Sequence, residues 1–390
     1  MNNIDSPVVL HKGVYKPTAT VAEAIFMIMG MTIGAGILGL PYVVSKVGLL
    51  IGLPMILVLG LTMLLLNLMV GDIAVRTGQN FQLPGFAGRY LGPWAKGLMS
   101  MIIILSGFGA LLAYVIGEGA ALASLFGGEP AWWSVFFWTV ASFLVWRGLG
   151  AIKKTTKVLS FCAIVIVAGL SFFLLPKIQP VNLSYFDLGN IFLPFGVILF
   201  ALHATPAIAE AHALLPGSQR HFRKAVIIGT LVPIFVYLLF TLAVVGFSGL
   251  SVTEVATVGL AGVGRAFSVF ANLFAVLAMG TGFMGFGLAL KQTLVWDHGM
   301  KKNAADLAVI LTPLVLFLLG LRSFVAVLDV VGGLFIGLEA LLIVLICRRA
   351  RQRGDMDGSR FGLRYLWLAA IPVIVIFSLA SVYSFLKLMN

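Results

Sequence analysis

Charge is scarce in this chain. Asp, Glu, Lys and Arg together supply 10% of its 390 residues, while 61% are apolar; an ordinary soluble domain carries about 25% charged residues. A soluble fold of this size has no means of covering so much apolar surface with polar side chains. Cysteine is nearly absent. Cys162 and Cys347 both fall in apolar runs, which excludes a disulfide framework and a cysteine-based zinc site. A cleavable N-terminal signal is missing as well. The first 20 residues are mostly polar, carry Lys12 and Lys16 and hold no short apolar core, so residues 1–19 are expected to form a retained cytoplasmic tail. Nor is any polar stretch long enough to fold as a separate domain. The net charge of +12 therefore reads as a topology signal in short connections, and not as a surface for nucleic acid.

What the chain does have is blocks of apolar sequence. Runs of about 20 residues at 1.5 Å each match a bilayer core of roughly 30 Å. Eleven spans are expected, at 20–45, 47–71, 95–122, 132–149, 156–176, 190–215, 223–248, 264–290, 304–321, 323–347 and 364–388. With the N-terminus inside, only Lys46, Lys177, Arg265, Arg322 and Lys387 of the 26 Lys and Arg residues fall outside. That bias supports both the orientation and the span count. The chain is thus expected to be a multi-pass protein of the cell's inner (plasma) membrane, embedded in lipid, with its C-terminus outside. Trp132 and Trp133 then lie at the outer interface, Trp94 and Trp367 at the inner one, and residues 88–93 are expected to contribute to a short interfacial helix.

Two spans carry helix breakers in mid-membrane. The first holds Gly30, Gly34, Gly36, Gly39 and Pro41; the sixth runs through Phe200-Ala201-Leu202-His203-Ala204-Thr205-Pro206. Glycine frees the backbone and proline removes a donor. In lipid, the freed groups must find partners or line a protected polar cavity. Spans one and six are corresponding members of two five-span halves that cross in opposite senses. Paired interruptions of this kind point to the central site of a transporter. Half-helix N-termini favour an anionic group such as a carboxylate, and exposed carbonyls suit a cation or an ammonium. An amino acid carries both charges. Residues 34–39 also fit G-x-G-x-x-G, but a helix precedes them and position 54 is Pro54, so a dinucleotide fingerprint is rejected.

The stretch Ile33-Gly34-Ala35-Gly36-Ile37-Leu38-Gly39-Leu40-Pro41-Tyr42 resembles the first-span motif of the amino acid/auxin permease family, particularly its bacterial aromatic and neutral amino acid permease branch, within the amino acid-polyamine-organocation superfamily. Ala207-Ile208-Ala209-Glu210 is similar to the Ala-Ile-Pro-Glu that follows the sixth-span break in such permeases, with Ala209 in place of the proline. The resemblance implies an all-α integral membrane protein of leucine-transporter-like fold. Its first inverted repeat would cover 20–176 (spans one to five), its second 190–347 (spans six to ten), and span eleven 364–388. It implies a secondary active, ion-coupled symporter of neutral amino acids, aromatic or large and apolar, without an organic cofactor. Ile33, Gly34, Ala35, Gly36, Ile37, Phe200, Ala201, Leu202 and His203 would then contact substrate, with Ser106, Phe108 and Tyr114 of span three as further lining. For the coupling ion it offers two patterns, and neither is complete. A sodium ion would draw on Ile33, Gly36, Ala278 and Thr281, but Gly282 stands where sodium-coupled relatives have serine. The lysine that some proton-coupled relatives carry in the fifth span is missing from 159–175.

Ionisable residues inside spans are costly and point to function. His203 sits at the sixth-span break with a side chain suited to proton exchange. Glu339, without an obvious local partner, is a second coupling candidate, and Glu210 a third. Asp329 is expected to pair with Arg322, Glu118 and Glu23 to serve as gate or interface groups, and Lys291 to snorkel. His203, Glu210 and His212 are poorly spaced for a metal. Two rival classes make different demands. An uncoupled facilitator or channel needs a continuous polar face along a span, and a membrane-embedded enzyme needs His, Asp and Glu converging near one interface.

Overall fold

The computed structural model describes residues 20–79, 81–147, 152–215, 219–296, 298–363 and 366–389. The tail expected over 1–19 lies outside them with Lys12 and Lys16, as do Arg364 and the side chains of Lys153, Lys154, Lys157, Arg360 and Trp367.

Among the described residues every regular element is a helix. Seven helices are long and apolar enough to cross a bilayer, and the pair Val21–Thr32 and Gly36–Val47, bent by 53° at its break, makes an eighth. Three further helices lie where the remaining spans are expected. In chain order, span one is the bent pair, two is Leu49–Val75, three Pro93–Phe126, four Pro130–Arg147 and five Ile152–Leu174. Span six is Pro194–Ala213, seven Gln219–Ser251, eight Arg265–Val295, nine Lys302–Leu318, ten Phe324–Arg353 and eleven Ala370–Met389. The interfacial helix is Leu83–Leu91. Gly92, at φ 95°, turns the chain from it into span three, a backbone conformation that costs glycine nothing.

The outer faces of the spans are apolar, as lipid requires: Leu50 is 62% exposed and Phe235 67%. Inside, several spans lie against their counterparts from the other half. Span two packs on span seven, three on eight, and the second piece of span one on the first piece of span six. Trp94 and Trp132 stay exposed near helix ends, as belt residues do.

Most buried charges are paired, as the cost of burying an ion alone demands. At the basic end of the bundle Asp72, wholly buried, takes Arg351 Nε at 2.7 Å and Arg76 Nε at 3.2 Å. Arg351 also donates to the Leu363 carbonyl. Nearby, Arg89 grips Asp355 through both carboxylate oxygens, at 2.7 and 2.8 Å. Two sequence expectations are corrected. Asp329 pairs with Lys387 of span eleven at 2.8 Å, while Arg322 lies over the Phe317 ring. Lys291 does not snorkel; it pairs with Asp306 of span nine. Glu23 closes a capping box with Thr20 at the start of span one. Glu118 is fully buried against Gly280 of span eight.

Candidate functional site

The break in span one is short. The first piece ends at Thr32, Ile33 is extended (φ −82°, ψ 90°), and the helix restarts at Gly36. The Gly34 N–H turns back to the Thr32 carbonyl at 3.0 Å. In span six the first piece, Pro194–Ala201, ends as the Leu202 N–H reaches the Ile198 carbonyl at 3.0 Å. His203 and Ala204 are non-helical, and Thr205–Leu214 restarts with Pro206 in its first turn, where a proline costs no hydrogen bond. Each restart leaves N–H groups without an acceptor inside the helix.

The two breaks touch. A Cβ on Gly36 would collide with the Ala201 backbone and lie 2.8 Å from the Ala201 Cβ. The Tyr237 hydroxyl, from span seven, lies 2.7 Å from the Thr32 carbonyl and 3.1 Å from the Ala201 carbonyl, sharing its one proton between the ends of both first pieces. Gly34, Phe200 and His203 keep part of their surface open, while Ile33, Ala35, Ala201 and Leu202 are buried.

Beside the sixth-span break, span ten supplies a carboxylate. His203 Nε2 is 3.1 Å from Glu339 Oε1 and 2.7 Å from Thr205 Oγ1. The Thr205 hydroxyl donates to the same Glu339 oxygen. Glu339 is 1% exposed; the sequence offered it no obvious local partner, and its partners come from span six, more than 130 residues away. With Glu339 ionised, the threonine proton goes to the carboxylate, which leaves Nε2 as the protonated ring nitrogen and makes it a donor. Adding a proton to the set changes its charge without removing any member. The arrangement is therefore chemically fit to hold and release one proton.

Span three brings Tyr114 to the breaks: its hydroxyl lies 3.6 Å from where a Gly34 Cβ would stand. The same ring explains Gly282. A Cβ there would lie 2.7 Å from Tyr114 Cζ and 2.9 Å from its oxygen, so a serine fits only if the Tyr114 ring moves aside. Thr281 donates into its own helix, to the Leu277 carbonyl at 2.8 Å and the Ala278 carbonyl at 3.1 Å. Ser106 likewise donates to Ile102 at 2.8 Å. Phe108 is half-buried between Gly107, which packs on Leu290, and Gly109, which packs on Val331. Glu210 accepts from Gln82 Nε2 at 3.3 Å, joining span six to the residue before the interfacial helix. Ile37 is buried in the first turn of the restarted helix. Sequence reasoning missed Thr205 and Tyr237. Thr205 stands beside the break, and its type alone, a hydroxyl next to a histidine, was a signal for it. Tyr237 lies in an unbroken apolar span and gave none.

A profile of the tryptophan/tyrosine permease family matches residues 18–380. The tyrosine-specific transport system 2 of Haemophilus influenzae is 26% identical over 389 residues, spanning 90% of this chain and 94% of its own length. Glutamine transporter 2 of Aliivibrio fischeri is 23% identical over 352 residues, spanning 85% and 90%. The crystal structure of MhsT in complex with L-phenylalanine superposes with a TM-score of 0.65 at 16% identity, covering 94% of this chain and 99% of that one. At that identity the likeness is one of fold, and the fold is the leucine-transporter type.

Proposed function

We propose that this chain, which belongs to the tryptophan/tyrosine permease family, carries an aromatic amino acid across the membrane by alternating access, together with a proton. It is a transporter and not an enzyme, like the relatives it matches. The observation that carries the reading is the meeting of the two breaks beside His203, Thr205 and Glu339. The substrate carboxylate faces the N–H groups that open the second piece of span one, Gly36 and Ile37 among them, where the helix dipole is positive. Its ammonium faces the carbonyls that close the first piece of span six, Phe200 to Leu202. Phe200, partly exposed at the break, and Tyr114 offer flat apolar faces to a ring.

The coupling ion in this reading is a proton. Tyr114 fills the space that a serine at 282 would need, which removes a hydroxyl oxygen from the sodium set of Ile33, Gly36, Ala278 and Thr281. His203 and Glu339 supply a proton-holding group next to the substrate. The repeats 20–176 and 190–347 rock against each other around this site. The N-terminus faces the cytoplasm and the C-terminus the outside, as the basic bias requires. No organic cofactor takes part.

Selectivity tests the substrate class. In proteoliposomes loaded by uptake of radiolabelled tyrosine, excess tryptophan or phenylalanine competes at least tenfold better than leucine or glutamine. Equal competition by glutamine would contradict the aromatic assignment and align this chain with its glutamine-transporting relative.

A further inference from the structure

Span ten contains the one π-helical segment among the described residues, Val330–Ile336, between Phe324–Asp329 and Gly337–Arg353. A π turn holds one residue more than an α turn, and it leaves carbonyls out of line with the regular ladder. In lipid such carbonyls need donors from elsewhere. Span eleven supplies them. Ser381 Oγ donates to the Gly333 carbonyl at 3.1 Å, and Ser384 Oγ reaches the Asp329 carbonyl at 3.5 Å. Lys387 Nζ stands 2.8 Å from Asp329 Oδ2. The three donors are spaced three residues apart, so they form one stripe on one helix face. Gly333 and Gly337 sit directly under the Ser384 and Ser381 hydroxyls, with no room for a side chain.

The opposite face of the same turn meets the substrate site. A Cβ on Gly332 would run into the Gly196 carbonyl and lie 2.8 Å from the Phe200 N. Gly196 in turn rests on Asp329. The first piece of span six is thus seated on the π turn, backbone to backbone. Three residues past its last member, Ile336, stands Glu339, in contact with His203 and Thr205. Loss of the extra residue would turn Glu339 by about 100° and shift it about 1.5 Å along the axis, which takes its carboxylate away from His203.

We propose that span eleven, which lies outside the two repeats, is a positioning element for coupling. Ser381, Ser384 and Lys387 hold the π form of span ten, and conversion of that turn between π and α moves Glu339 into and out of the His203–Thr205 set. The proposal deepens the reading that His203 and Glu339 carry the coupling proton, and it rests on that reading for its consequence but not for its geometry.

The two are separable by experiment. In a full-length chain with Cys162→Ala and Cys347→Ala, Glu339→Cys places a thiol beside His203, and cadmium bridging the pair inhibits substrate exchange. Adding Ser381→Ala and Ser384→Ala is expected to raise the half-inhibitory cadmium concentration at least tenfold while exchange without cadmium persists. Ser381→Thr and Ser384→Thr, which keep the hydroxyls, restore the sensitivity. With Glu339 intact, the double alanine variant is expected to lose at least tenfold in proton-driven accumulation and to keep exchange within about twofold. Unchanged cadmium sensitivity in the double alanine variant would overturn the proposal. Lost sensitivity together with a Glu339→Gln transporter that still couples to protons would uphold span eleven's positioning role and sink the proton assignment alone.

Discussion

Gly36→Ala stops most transport in a protein that still folds, whereas Gly34→Ala, two residues away, weakens substrate binding and leaves turnover intact. The difference is steric. The new Cβ at Gly36 lands on the Ala201 backbone, closer than carbon atoms approach, and backbone cannot rotate away as a flexible side chain can. The second piece of span one must move off the first piece of span six. That loosens the hold of the Tyr237 hydroxyl on the Thr32 and Ala201 carbonyls. Overpacking of this kind costs about 1–3 kcal/mol, roughly five- to 150-fold in the population of the closed form. At Gly34 the nearest atom to a new Cβ is the Tyr114 hydroxyl at 3.6 Å, an ordinary contact, and Gly34 has no positive φ to strain a side chain. Its methyl enters the space proposed for substrate instead. Initial uptake rates at several substrate concentrations, with thermal melting in detergent as the folding check, separate the two. The same loss of rate and the same KM in both variants would contradict the division between packing and lining.

Glu339→Gln abolishes concentrative uptake and spares exchange. The amide keeps the size of the carboxylate and can still accept from Thr205, so the contacts survive in part, but it no longer takes up a proton. For one proton per substrate, each pH unit across the membrane supports about a tenfold accumulation, the equivalent of about 1.4 kcal/mol. The variant is expected to equilibrate at a ratio of one, while counterflow of preloaded tyrosine stays within a few fold of the wild type. Accumulation by the variant under a proton gradient would remove Glu339 from the coupling path.

The span layout and both breaks were legible in the sequence because each is written locally. Apolar blocks, basic connections and Gly or Pro inside a span need no knowledge of neighbours. The first-span motif added the fold on the strength of a few adjacent residues. His203 and Glu339 were each legible as buried ionisable groups, but their contact was not. They lie 136 residues apart, and a uniformly apolar background does not encode which helix faces which. Tyr237, 205 residues from Thr32, was hidden for the same reason. Asp329 was assigned to Arg322 because that residue is near in sequence; the true partner, Lys387, comes from span eleven. The π turn has no pattern of its own beyond Gly332 and Gly333, and Ser381 and Ser384 look like ordinary small residues of a membrane helix until the carbonyls they serve are seen. Gly282 is a case in between. Its departure from the sodium pattern was plain, but the reason, the Tyr114 ring filling the space, is a tertiary fact.

An aromatic amino acid and a proton are proposed to share the site at the breaks. The most direct test is uptake of radiolabelled tyrosine into proteoliposomes under an inward proton gradient alone and, separately, an inward sodium gradient alone. Saturable accumulation above the external concentration is expected with the proton gradient, and equilibration only with sodium. Accumulation driven by sodium, with none driven by protons, would contradict the proposal.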